Sequence, residues 1–90
     1  MDYEWNGGKC RANVRKHGID FADAVAVFGD DGLMIMEDEE PDEQRFVAAG
    51  LDSLGRLLVV MFTSRGERIR IISARRANPM ERSAYGGAVR

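Results

Sequence analysis

Residues 65–82 contain an alternating strand pattern that leads directly into a helix start. Isoleucine and arginine alternate over residues 68–71, so a strand here would bury its isoleucines and present guanidinium groups on its other side. Residues 78–81 then supply an N-cap asparagine, a proline at the first helical position and a glutamate three residues after the cap. The sequence therefore predicts a strand that is followed at once by a helix.

Charge is distributed unevenly along the chain. Residues 65–82 include six arginines and no lysine, and guanidinium suits bidentate contact with phosphate. Residues 1–64 carry a net charge of -7 and residues 65–90 carry +5, although the whole chain is only -2. Two interpretations stay open: a basic surface that attracts phosphates, or two halves that pair with each other.

The length of 90 residues predicts one domain that spans residues 1–90. No apolar run approaches the roughly 18 residues of a membrane span, and the N-terminus lacks a signal-peptide pattern. The single cysteine, Cys10, cannot form an internal disulfide. We expect a soluble, cytoplasmic protein.

Periodicity and turn residues predict an α+β fold with the element order βααββββα. The predicted strands cover residues 2–5, 33–36, 44–50, 56–63 and the arginine-rich segment, and the predicted helices cover residues 9–17, 20–29 and 79–85. Residues 6–8 are predicted as a turn, the acidic tract 37–43 as a solvated loop and residues 86–90 as a fraying tail. Short connections between the last four strands favour a mostly antiparallel meander with the helices on one face.

Several motifs, in this order and at this spacing, resemble the BrnT family of toxins. They are Trp5, residues 13–19 followed by Phe21, and residues 70–75 followed by Glu81, Arg82 and Tyr85. The resemblance spans nearly the whole chain and implies a RelE-like fold.

The same resemblance implies a bacterial ribonuclease toxin of a type II toxin–antitoxin system, which lowers translation. Its implied partners are an RNA substrate and a BrnA-type antitoxin with a ribbon-helix-helix DNA-binding domain. Two toxins would associate with two antitoxins, and DNA would be contacted only through the antitoxin.

RNA cleavage without a metal needs a base, an acid and positive donors for the charge that develops on phosphate. Arg70 and Arg75 lie in the matching motif and are the predicted phosphate-binding or transition-state residues, with salt bridges to acidic residues as the alternative. The candidate proton carriers are His17, Glu81, Lys16, Tyr85 and an acidic residue near Glu37. His17 could instead cap the end of a helix, and Glu81 could instead complete a capping box.

A second group of side chains is predicted to contact RNA: Lys16, Arg45, Arg56, Arg65, Arg68, Arg76, Arg82 and Tyr85. The alternatives are solvated charges for the cations and core packing for Tyr85. With one histidine, one cysteine and no regular ligand spacing, the sequence predicts no metal and no cofactor. The competing functional hypothesis is a noncatalytic interaction domain or a degenerate toxin, whose arginine-rich face binds RNA or an acidic protein.

Overall fold

The computed structural model describes residues 2–38 and 44–89, with side chains through residue 85. Its five strands are β1 (Asp2–Glu4), β2 (Met34–Asp38), β3 (Arg45–Leu51), β4 (Leu57–Arg65) and β5 (Arg68–Arg76). Its helices are α1 (Gly7–His17), α2 (Phe21–Ala24) and α3 (Pro79–Val89), and a 3-10 helix covers Val25–Gly29. The α+β class with three α-helices is confirmed.

The strands form one mixed sheet in the order β1-β5-β4-β3-β2. The last four strands pair antiparallel in sequence order, whereas β1 pairs parallel with β5. The acidic tract begins inside this sheet, because β2 ends at Asp38. The prediction of a loop is therefore wrong for residues 37 and 38, and residues 39–43 lie outside the described residues.

The hydrophobic core lies on one face of the sheet, beneath α1, α2 and the 3-10 helix. Leu58 and Val60 of β4 are fully buried against Ile19 and Phe21 from the N-terminal segment. Phe62 continues this face, and its ring contacts those of Phe46 and Phe28 at centroid distances of 5.4 and 5.0 Å. We call this side of the sheet the core face.

The third helix packs on the opposite side of the sheet. Val59 alternates with the core residues of β4, and it lines a groove together with Glu81 and Ala84 of α3. The expectation that all helices cover one face is therefore wrong for α3. The helix also continues to Val89 and so includes most of the tail that was predicted to fray.

The first helix begins two residues earlier than predicted. The Asn6 side chain accepts a hydrogen bond from the Lys9 backbone N–H at 3.0 Å and caps the helix, so Gly7 and Gly8 form its first turn. Gly18 ends the helix in the left-handed conformation, with φ of 72°. The second predicted helix begins after its Asp20 cap as expected, but it tightens into the 3-10 helix after Ala24.

Asn13 ties α1 to the edge of β5. Strand β1 covers β5 only from Arg68 to Arg70. Further along, the Asn13 amide donates to the Ala74 carbonyl at 2.8 Å and accepts from the Ala74 N–H at 3.1 Å, while it also donates to Ile19 O at 2.9 Å. One buried side chain thus replaces a neighbouring strand at this point.

No helix in the described part of the chain is long and apolar enough to cross a membrane.

Candidate functional site

Five arginines lie on the side of the sheet opposite the core face. Across β4, Arg75 is opposite Val59 and Arg70 is opposite Thr63, and both of these β4 residues alternate with core positions. By strand register, the side chains of Arg45, Arg65 and Arg68 point the same way. We call this surface the arginine face, and its members are Arg45, Arg65, Arg68, Arg70 and Arg75. The structure thus places five of the predicted site residues on one face of the sheet.

Arg75 is held by Glu81 in a bidentate ion pair. Its Nη1 and Nη2 donate to the two Glu81 carboxylate oxygens at 2.8 and 2.9 Å. These hydrogen bonds lower the pKa of Glu81 and raise the pKa of Arg75. The guanidinium stays 42% exposed and can still contact a ligand.

Glu81 also completes the capping box of α3. Its Oε1 accepts from the Asn78 N–H at 2.8 Å, and the Asn78 Oδ1 accepts from the Glu81 N–H at 2.8 Å. The capping alternative is therefore confirmed. Because both carboxylate oxygens are already bonded, Glu81 holds Arg75 in position and is a poor general base.

Arg70 is held by Glu4 from the first strand. The Arg70 Nη1 donates to Glu4 Oε2 at 2.7 Å, and Arg68 Nη1 lies 3.6 Å from Glu4 Oε1. The hydrogen bond from Arg70 lowers the pKa of Glu4. Sequence reasoning missed Glu4, since its pairing depends on a parallel contact between strands far apart in the chain.

The remaining members of the arginine face differ in exposure. The Arg68 side chain is 61% exposed, and Arg65 is also exposed. Arg45 forms an ion pair with Asp38 of β2 at 3.5 Å. A ligand that approaches this surface would therefore reach Arg68 and Arg65 before Arg45.

Arg56 has a structural role away from this face. Its Nε and Nη2 lie 2.8 and 2.7 Å from the Oδ2 of buried Asp52, and its Nη2 is 3.7 Å from Asp23. The Asp52 carboxylate also accepts from the N–H groups of Leu54 and Arg56. The guanidinium of Arg56 thus fixes the turn before β4, and the structure does not place it with the arginines of the opposite face.

Three further predicted cations lie outside the arginine face. Arg76 is opposite Leu58 and therefore points to the core side of the sheet, at the exposed end of β5. Lys16 is exposed on α1, and Arg82 is exposed in the first turn of α3. None of the three makes an ion pair within the described residues.

His17 is the last residue of α1, the helix that packs on the core face, so it is not one of the side chains on the arginine face. It follows Asn13 by one helical turn, so the two residues share the side of α1 that faces β5. It is half-buried and makes no hydrogen bond or ion pair within residues 2–38 and 44–89. The helix end is capped by the Gly18 N–H, which donates to Val14 O at 2.8 Å.

Tyr85 anchors α3 to the segment before β2. Its hydroxyl donates to Asp30 Oδ2 at 2.5 Å, and this bond lowers the pKa of Asp30 and raises the pKa of Tyr85. The ring also passes close to Gly32, where an added Cβ would be 2.9 Å from the Tyr85 hydroxyl. Tyr85 thus holds α3 against the segment before β2, and its hydroxyl is already occupied.

A small apolar groove of about 70 Å³ lies between α3 and the sheet, next to Arg75. Its lining is nearly all apolar: Met34, Met36, Val47, Ala49, Val59 and Ala84, with Glu81 as the charged member. Within the described ranges, no group of three or more His, Cys, Asp or Glu side chains is placed to hold a metal ion.

Comparison with known proteins identifies the family of this chain. The family model for the ribonuclease toxin BrnT, of type II toxin–antitoxin systems, matches residues 5–81. A crystal structure of the Brucella abortus ribonuclease toxin BrnT is similar to the present structure, with a TM-score of 0.69 and 28% sequence identity. The similarity covers 87% of this chain and 97% of the Brucella chain.

A search of curated protein sequences finds no match. The family match covers most of the chain, including Trp5, β5 and the Arg75–Glu81 pair. The protein therefore belongs to the BrnT family of ribonuclease toxins of type II toxin–antitoxin systems.

Proposed function

We propose that this protein is an endoribonuclease that cleaves RNA without a metal ion and thereby inhibits translation. The observation that carries the proposal is the placement of Arg70 and Arg75 on one face, each oriented by a carboxylate. Membership of a ribonuclease toxin family supports RNA as the substrate.

The two arginines suit the positive role in phosphodiester cleavage. Arginine stays protonated at all relevant pH values and presents several N–H donors to phosphate oxygens. Donors fixed before the reaction stabilise the developing charge without reorganisation, and the partners Glu4 and Glu81 supply that fixation here. Arg45, Arg65 and Arg68 would extend the contact along the RNA backbone.

The proton carrier in this proposal is His17. Histidine is the side chain best suited to proton transfer near neutral pH, and Glu81 is already committed to Arg75. His17 makes no hydrogen bond or ion pair within the described residues. Because α1 packs on the core face and the arginines lie on the opposite face, His17 would act around the β5 edge, where Asn13 of the same helix bonds Ala74. A His17→Gln variant in the assay below tests this role.

The physiological partner in this proposal is a BrnA-type antitoxin with a ribbon-helix-helix DNA-binding domain. Two toxins, each with a RelE-like fold, would assemble with two antitoxins in the bacterial cytoplasm. Only the antitoxin would contact DNA. A type II toxin of this family acts with a protein antitoxin, which supports this assignment in general terms.

The test is expression of the wild type and an Arg70→Ala, Arg75→Ala double variant in a bacterium. We expect only the wild type to arrest growth, and the purified wild type to cleave RNA in EDTA. The matched control is an Arg11→Ala, Arg15→Ala double variant, which removes two exposed arginines from α1 and should remain toxic.

The outcomes separate the hypotheses. If folded wild-type protein leaves growth and RNA intact, the ribonuclease proposal is overturned in favour of a noncatalytic interaction domain or a degenerate toxin. If cleavage occurs but stops in EDTA, metal independence is wrong. If the α1 control is as inactive as the Arg70→Ala, Arg75→Ala variant, the loss reflects total charge and not the arginine face.

A further inference from the structure

A β-bulge interrupts β5 between the two candidate catalytic arginines. Phe62 of β4 pairs with Ile71, and the adjacent Met61 pairs with Ser73, so Ile72 is an extra residue in β5. Burial agrees with this register. Ile71 and Ala74 are only three residues apart, yet both are buried in the core face.

The bulge decides which side chains of β5 share the arginine face. In a regular strand, residues five apart point to opposite faces, and Arg70 and Arg75 would be separated by the sheet. The extra residue reverses the alternation, so that Arg70, Ser73 and Arg75 all point away from the core. Bulges often serve to redirect a side chain beside a functional site.

Ser73 occupies the position between the two arginines. It is half-buried, and its hydroxyl makes no hydrogen bond within the described residues. Other hydroxyls of the protein do have acceptors, for example Thr63 Oγ1, which donates to Gln44 O at 2.8 Å, and Ser53 Oγ, which donates to Asp23 at 3.0 Å. The Ser73 hydroxyl is thus a donor without an internal acceptor, and it lies on the arginine face at a strand position between Arg70 and Arg75.

We propose that Ser73 is a third phosphate-binding residue, whose hydroxyl donates to a nonbridging oxygen of the RNA phosphodiester that Arg70 and Arg75 bind. The proposal rests on the proposed ribonuclease function. A hydroxyl is short and neutral, so it can approach the phosphate closely between two long cationic side chains. A bond to a charged oxygen is also stronger than one between neutral groups.

The test compares Ser73→Ala, Ser73→Thr and the wild type, using purified protein and a short RNA. We expect Ser73→Ala to reduce kcat/KM by about tenfold to one hundredfold, the range for removal of one hydrogen bond to a charged group. Ser73→Thr keeps the hydroxyl on a residue that strands accept well, and it should retain most of the activity. The unfolding midpoint of Ser73→Ala should stay unchanged, because the substitution removes no internal hydrogen bond.

The matched control is Ser64→Ala. Ser64 is an exposed serine of β4 that is paired with Ile69 on the core side of the sheet, so its substitution should leave cleavage unchanged. If Ser73→Ala cleaves as fast as the wild type, the Ser73 proposal is overturned while the ribonuclease function stands.

If the wild type does not cleave the RNA, a binding measurement can still test the role of Ser73. Affinity for an RNA with 2′-O-methyl groups, which cannot be cleaved at the modified positions, should fall in Ser73→Ala. Equal affinity of both proteins for this RNA overturns the proposal. A folded wild type that neither cleaves nor binds RNA overturns both the Ser73 role and the ribonuclease function.

Discussion

At the scale of single residues, the Asp30 carboxylate joins three parts of the chain. It accepts hydrogen bonds from the Tyr85 hydroxyl of α3, from the Leu51 N–H at 2.7 Å and from the Gly32 N–H at 3.1 Å. These bonds, the one from Tyr85 first, lower the pKa of Asp30. The stability that the Tyr85–Asp30 bond gives to the packing of α3 therefore depends on pH.

The sign of this coupling follows from the direction of the shift. The pKa of Asp30 is lower in the folded state, so at acid pH the unfolded chain binds more protons. The bond contributes stability above the unfolded-state pKa of about 4, and the contribution is lost as the pH falls through the lower folded-state pKa. The pKa of Tyr85 is raised, so its contribution is lost at the alkaline end, as the pH rises through that value.

Tyr85→Phe should therefore lower the free energy of unfolding by about 1 kcal/mol at pH 7. The difference from the wild type should shrink as the pH falls below about 4, because the unfolded chain takes up the proton there and the folded protein does so only at lower pH. Urea denaturation at pH 7 and pH 3 measures the difference in the free energy of unfolding between the variant and the wild type. Tyr3→Phe is the control, since the Tyr3 hydroxyl has no partner in the described residues. A difference that is equal at both pH values would contradict this account.

Single residues also show how far the sequence could predict the site. Arg70 and Arg75 were selected because they lie in the motif that resembles the BrnT family, whereas the density of arginine after residue 64 only marked the segment. Their shared face was not predictable, because the alternation rule places residues five apart on opposite sides and nothing marks Ile72 as an extra residue. Glu4 was missed for a related reason, since strand pairing over long separations leaves no local signal.

At the scale of elements, local signals predicted most boundaries. Gly55 and Gly66 have φ of 76° and 62°, and each lies in a turn that was predicted between strands. The face that α3 covers was not predictable from sequence, because β4 is buried on both sides and its continuous apolar run does not distinguish them. Gly7 and Gly8 indicated a turn by composition, yet the Asn6 cap made them helical.

The packing of α1 against β5 gives a prediction at this scale. Asn13→Ala should lower the free energy of unfolding by roughly 2–4 kcal/mol, because it leaves the buried N–H and C=O of Ala74 without a partner. Asn6→Ala, which removes only the helix cap, should cost about 1 kcal/mol. Urea denaturation compares the two variants. Equal decreases would mean that Asn13 contributes through the helix and not through the sheet edge.

At the scale of the whole molecule, the two charge interpretations of the sequence are compatible. Glu4 of the acidic half pairs with Arg70 of the basic half, as the pairing hypothesis predicts. Arg68 and Arg75 nevertheless stay partly exposed on the arginine face. The ion pairs orient the arginines and do not bury them, so the same groups can serve structure and ligand binding.

RNA affinity should therefore depend on salt in a way that reports on individual arginines. For single-stranded RNA, the slope of log K against log salt should decrease in magnitude by roughly 0.7 in Arg68→Ala, because the variant neutralises one phosphate fewer. Arg15→Ala removes an exposed cation from α1 and should leave the slope unchanged. Fluorescence titration at several salt concentrations measures this, and equal slopes in Arg68→Ala and the wild type would remove Arg68 from the interface.

The parallel pairing of β1 with β5 also sets an order of events during synthesis. Residues 2–4 leave the ribosome well before their pairing partners in the sheet, residues 68–70. The hairpins of β2 to β5 join neighbouring segments and close small loops, whereas β1 must wait for a partner 66 residues later. The Glu4–Arg70 pair therefore forms late, and a growing chain has no complete arginine face until β5 has emerged.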